Sequence, residues 1–159
     1  MPPLRQMFLL LALVLPVAPA WANIGEDIFQ LRGRYGSAKD MGGQMLFQIQ
    51  IVNDKIVRLP PSSDQHEGYS VTVYFDGTHS AMEVFTRNTS DPVKADIPPQ
   101  DIERLLASES DGLTWNKVTV SSGKPTWLRM DNKLIARFSP NTGGKADDAS
   151  VLVIMANRK

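Results

Sequence analysis

A two-residue hydrophobic period, broken repeatedly by turn signals, restricts this chain to a fold built on a sheet. Met45, Phe47, Ile49 and Ile51 alternate with Leu46, Gln48, Gln50 and Val52. Side chains on alternate faces are the mark of a strand with one more polar side. Asn53-Asp54 is a turn signal, and Ile56-Val57-Arg58-Leu59 returns as a second strand. After a polar loop at 60–68, Tyr69, Val71, Val73 and Phe75 line one face of a third. Asp76-Gly77 then predicts a hairpin, since glycine accepts the positive φ of a tight turn. The fourth strand runs from His79 to Thr86.

Two short helices punctuate this pattern. Ile24, Ile28, Leu31 and Tyr35 fall on one helical face, with Glu26 and Asp27 in the first turn, Arg32 and Arg34 in the last, and Gly36 as terminator. Pro98-Pro99 suits the opening of a second helix, with an apolar stripe of Ile102, Leu105 and Leu106 and an end near Asp111-Gly112. Strands are predicted at Leu113–Ser121, Thr126–Met130, Lys133–Ser139 and Ser150–Ala156. The last, Val151-Leu152-Val153-Ile154-Met155-Ala156, is apolar on both sides, which predicts a central position covered on both faces. The expectation is a single α+β domain, with two helices packed on antiparallel sheet. A duplicated helix-plus-four-strand unit, with halves at 23–90 and 97–159, is the alternative. The predicted core is Ile28, Leu31, Tyr35, Phe47, Ile49, Val71, Val73, Phe75, Ile102, Leu105, Leu106, Val118, Leu128, Val151, Val153 and Ile154.

Residues 1–22 read as a secretory signal peptide. Arg5 precedes an unbroken apolar run from Phe8 to Leu15, prolines interrupt it, and Ala20-Trp21-Ala22 offers small residues for cleavage. The apolar run is shorter than the ~20 residues that span a bilayer. A mature chain from Asn23 is therefore expected in the periplasm or outside the cell, with no membrane insertion after cleavage. The sequence contains no cysteine, which excludes disulfides, thiol nucleophiles and a lipobox anchor. Loss of Arg5 leaves 16 basic against 17 acidic side chains. No basic stripe is present, so nucleic acid is not an expected partner.

The opening helix with its Tyr35-Gly36 end, the Asp76-Gly77 hairpin, and Leu105-Leu106, Trp115 and Trp127-Leu128-Arg129 resemble a group of small exported bacterial proteins without an assigned activity. The helix-then-sheet order is also similar, more distantly, to the β-lactamase-inhibitory-protein fold and to the SmpA/OmlA outer-membrane lipoproteins. Gly25-Glu26-Asp27-Ile28 through Tyr35-Gly36 is similar to the latter's first helix. Ser37-Ala38 stands where those lipoproteins commonly carry a proline. These resemblances imply a fold and carry no catalytic or binding residue.

Chemistry-bearing residues are sparse. His66 and His79 are the only histidines, and His66, Glu67 and His79 are weak candidates for a metal, without the regular spacing of a histidine site. No Gly-x-Ser-x-Gly elbow occurs. Trp115 alternates in phase with Lys117, and Trp127 with Arg129. If strand register places them together, they form an aromatic-basic patch of hot-spot composition. The alternative buries both tryptophans beneath the helices. The expected function is a non-catalytic exported module that binds a protein, small molecule or glycan without a cofactor. A small hydrolase or metal-binding protein using His66 and His79 is the alternative.

Overall fold

The fold is α+β, two helices lying on one face of an antiparallel sheet. The computed structural model describes residues 24–60, 67–91, 95–141 and 149–157. The segment 1–22 that reads as a signal peptide, His66 and residues 142–148 lie outside them. Among the described residues no helix is long and apolar enough to cross a membrane.

Helix α1 (Ile28–Tyr35) starts one turn later than the periodicity of Ile24 suggests. Asp27 decides the start, because its carboxylate accepts from the N–H groups of Phe29 and Gln30 at 2.8 and 2.9 Å. Gln30 in turn accepts from the Asp27 N–H, completing a capping box. Ile24, Gly25 and Glu26 are thereby left outside the helix. They are held against Ser80, whose Oγ accepts from the N–H groups of Gly25 and Glu26. Helix α2 (Pro99–Ser108) begins after Pro98, whose missing donor costs nothing at a helix start, and ends before the predicted Asp111.

The strands are β1 (Lys39–Asp40), β2 (Gln44–Val52), β3 (Lys55–Arg58), β4 (Gly68–Asp76), β5 (His79–Asn88), β6 (Trp115–Val118), β7 (Thr126–Arg129), β8 (Leu134–Ser139) and β9 (Val151–Ala156). They form one sheet in the order β1-β2-β4-β5-β9-β8-β7-β6. β3 pairs with β2 on the edge that β1 also uses, but at the far end. Asn53 and Asp54, both at positive φ, make the tight β2–β3 turn that brings this about. β5 meets β9, from Met82 opposite Met155 to Thr86 opposite Val151, and so joins the earlier strands to the later ones in the sheet's middle.

The core lies between the helices and one sheet face, around Leu31, Tyr35, Phe47, Ile49, Tyr69, Val71, Val73, Phe85, Ile102, Leu105, Leu152 and Ile154. The Tyr35 ring packs on Phe47 and Phe85 at 5.4 and 6.5 Å between centroids. Four expected core residues lie elsewhere. Val118, Leu128, Val151 and Val153 point to the opposite face and are only partly buried, because cross-strand register aligns their neighbours, not them, with the helix layer. Leu134, Ala136 and Leu152 take their place. β9 is central as predicted, yet no described helix or strand covers its second face.

Candidate functional site

The charged residues that the fold buries sit together at one point. β5 alternates so that Glu83 shares its side with Phe85, which drives a carboxylate under α1, where it is fully closed to solvent. α1 presents Arg34 and Tyr35 to it. Glu109, immediately after α2, meets them from the other helix and is also fully buried. Glu26 completes the group, fixed by the backbone's attachment to Ser80.

Arg34 is the hub. Its Nη2 lies 2.6 Å from Glu83 Oε1 and 3.1 Å from Glu26 Oε2, and its Nη1 donates to Glu109 Oε1. The Tyr35 hydroxyl is 2.7 Å from Glu83 Oε2 and 2.9 Å from Glu109 Oε1. It has one proton, so it can donate to only one of them at a time. Burial, and then the charge of Glu83, pushes Glu109 up to about 8, against the pull of Arg34 and Tyr35. Burial also raises Tyr35 well above the ordinary phenol value, with Glu109 and Glu83 acting in the same direction. Burial works against the charge on Arg34, but Tyr35 and the three carboxylates more than offset it.

This cluster lies at the inner wall of a cleft of about 1100 Å3 between α1 and α2. Gln30, Gly33 and Arg34 form one side, and Gln100, Glu103, Arg104, Ala107 and Ser108 the other. The β2–β3 hairpin supplies Ile51 and Ile56, together with Asp54, Lys55 and Arg58. The helical residues recur at three- and four-residue spacings, so each helix turns one face to the opening. Arg58 braces the wall by donating to the last carbonyls of α1, those of Gly33 and Arg34. Arg104 pairs with Asp54 across the mouth and with Asp101 on its own helix.

Register brings the four aromatic-basic residues onto one face: Trp115 is opposite Arg129 and Lys117 opposite Trp127. That face is the one beneath the helices. Trp115 Nε1 donates to the Leu106 carbonyl at 2.7 Å, Arg129 Nη1 donates to the Glu109 carbonyl, and both indoles pack on the core. These two donors satisfy carbonyls at the end of α2, as does the Ser108 hydroxyl, which donates to the Leu105 carbonyl at 2.7 Å. Arg129 is buried and pairs with Asp131, whereas Lys117 is exposed with its ammonium 6.0 Å from the Trp127 ring. His79 is exposed at the β4–β5 turn, 3.0 Å from Thr78 Oγ1 through Nδ1, and Glu67 is exposed before β4. Among the described residues no group of three metal-binding side chains forms.

Sequence reasoning missed the buried cluster. Its signal was present in Glu83, an acid in phase with Phe85 on a strand, where an inward charge requires a partner. No protein-family model, curated protein or solved structure matches the chain.

Proposed function

We propose that this protein is an exported, non-catalytic binding module that holds a small ligand in the cleft between α1 and α2. The observation that carries the reading is the cleft itself, which combines an aliphatic floor at Ile51 and Ile56 with a small set of convergent polar groups. That mixture is how small-molecule sites are built: apolar surface supplies the affinity and a few placed polar atoms fix orientation. The Arg34 cluster supports it by holding the two helices apart at a fixed spacing, so the space need not be opened by the ligand. Export rests on the residues 1–22 pattern.

A fragment screen read by heteronuclear NMR tests the cleft. The expected hits perturb amides of α1, the β2–β3 turn and α2, and disappear in Ala107→Trp, which places an indole in the opening. Hits that map elsewhere, or survive this substitution, overturn the reading. The intact mass of the protein from a native host's envelope tests export, with a mature form starting at Asn23 expected and one starting at Met1 overturning it.

A further inference from the structure

The two carboxyls that share the Tyr35 hydroxyl cannot both be anions and keep their places. The hydroxyl stands 2.7 Å from Glu83 Oε2 and 2.9 Å from Glu109 Oε1, and its single proton serves one of them. At the other contact a hydroxyl lone pair would face a bare carboxylate oxygen, so the arrangement holds when one of the two carboxyls is protonated. Glu109 is the one that carries this proton. Its Oε2 is buried and holds no hydrogen bond among the described residues, which costs a neutral carboxyl far less than an anion. Burial and the charge of Glu83 push it up to about 8, so the proton is in place at neutral pH. Facing the Glu109 carboxyl are Arg34 and Tyr35 of α1, Glu26 before that helix and Glu83 of β5, while Arg129 of β7, paired with Asp131, holds its backbone carbonyl.

Glu109 is also the member best placed to leave. It follows Ala107 and Ser108, which line the cleft, so solvent lies one residue away from a carboxyl that is itself closed off. What it would leave behind is complete: Arg34 keeps Glu83 and Glu26, and the Tyr35 hydroxyl donates to Glu83.

We infer that Glu109 is a proton-operated latch between the two helices: neutral, it pins the last turn of α2 to Arg34 and Tyr35 of α1, and ionised, it swings into the cleft and unpins that turn. The latch is closed below about pH 8 and opens as pH rises through that value. It is a property of the fold and does not depend on a ligand in the cleft. Trp115 reports on the same turn, because its indole donates to the Leu106 carbonyl.

The chain has no cysteine, so a pair of spin labels can be placed without competing thiols. Phe29→Cys on α1 and Ala107→Cys in the last turn of α2 put them at two exposed positions. The distance between the labels is expected to lengthen from about pH 6 to about pH 10, with a midpoint near 8. The Trp115 indole N–H resonance should shift with the same midpoint, while the amide resonances of β5 and β9 keep their native pattern. In Glu109→Gln the labels should stay at the short distance throughout. Glu83→Gln removes the charge that helps hold the proton on Glu109 and should move the midpoint down. Labels that keep one distance across this range overturn the latch, and so does a lengthening that persists in Glu109→Gln. A midpoint untouched by Glu83→Gln overturns it too, as does loss of the β5 and β9 amide pattern at that midpoint, which would be unfolding of the whole domain.

Discussion

The hydroxyl of Tyr35 lies 2.7 Å from Glu83 Oε2, with both side chains fully closed to solvent. A buried carboxylate whose donor is removed bears its desolvation cost alone. Tyr35→Phe keeps the ring packed on Phe47 and Phe85 but withdraws that donor. The expected loss is about 1–3 kcal/mol in urea denaturation, and an unchanged midpoint would mean that Arg34 alone satisfies Glu83.

Glu109 gives stability a pH dependence of definite sign. Its carboxyl stands at about 8 in the folded protein against an ordinary value of 4.5. Between these limits the folded state holds a proton that the unfolded chain has lost. This group's contribution is therefore full below about 4.5 and is lost as pH rises through about 8. Glu109→Gln should flatten that decline, gaining on the order of 1–3 kcal/mol over the parent at about pH 9 relative to about pH 5. Denaturation midpoints across pH provide the check.

Gly68 is fixed by geometry. It has φ +146, and a Cβ there would collide with the Ile49 carbonyl oxygen on the paired strand. Gly68→Ala should cost at least the ~1–3 kcal/mol of a forced backbone conformation, and thermal unfolding will show it. Ala at Gly77, where nothing lies within 4 Å, meets only the positive φ and should cost less.

Leu105 is fully buried on the inward face of α2. Truncation to alanine removes packed methyl groups and leaves a void, so Leu105→Ala should destabilise by about 2–5 kcal/mol. A value near zero would place α2 outside the cooperative core.

The two faces of β9 should respond differently. Leu152 is fully buried and Val153 only partly so. Leu152→Thr should cost several-fold more stability than Val153→Thr, measured side by side in urea.

Much of the fold was legible because its signals are local. Alternation in β2 and β4, the turn at Asp76-Gly77 and the Ile102, Leu105, Leu106 stripe each appear at the predicted place. Errors arose where a choice depended on distant partners. β9 is apolar on both faces, so its own residues cannot say which side the helices cover, and only pairing with Ala136 and Phe85 decides it. The same holds for Trp115 and Trp127, which alternate in phase with Lys117 and Arg129. Trp115 and Arg129 turn inward to bond the carbonyls ending α2. The candidate site was almost illegible. Its members come from three separate segments, Glu26 and Arg34 from the first, then Glu83 and Glu109, and of these only Glu83 breaks a local pattern.

The pairing of β5 with β9 sets an order of events for folding. β9 fills the centre of the sheet, yet its residues, 151–156, form the last described strand in chain order. Until they arrive, β5 and β8 each carry an open edge, and no neighbouring strand of either half can bridge them. The β2–β4–β5 ladder and the β6–β7–β8 ladder can each assemble from strands close in sequence, but the join between them waits for β9. The long loop closure this requires makes the final step slow compared with helix or hairpin formation. The sheet is thus open in its middle until β9 inserts between β5 and β8.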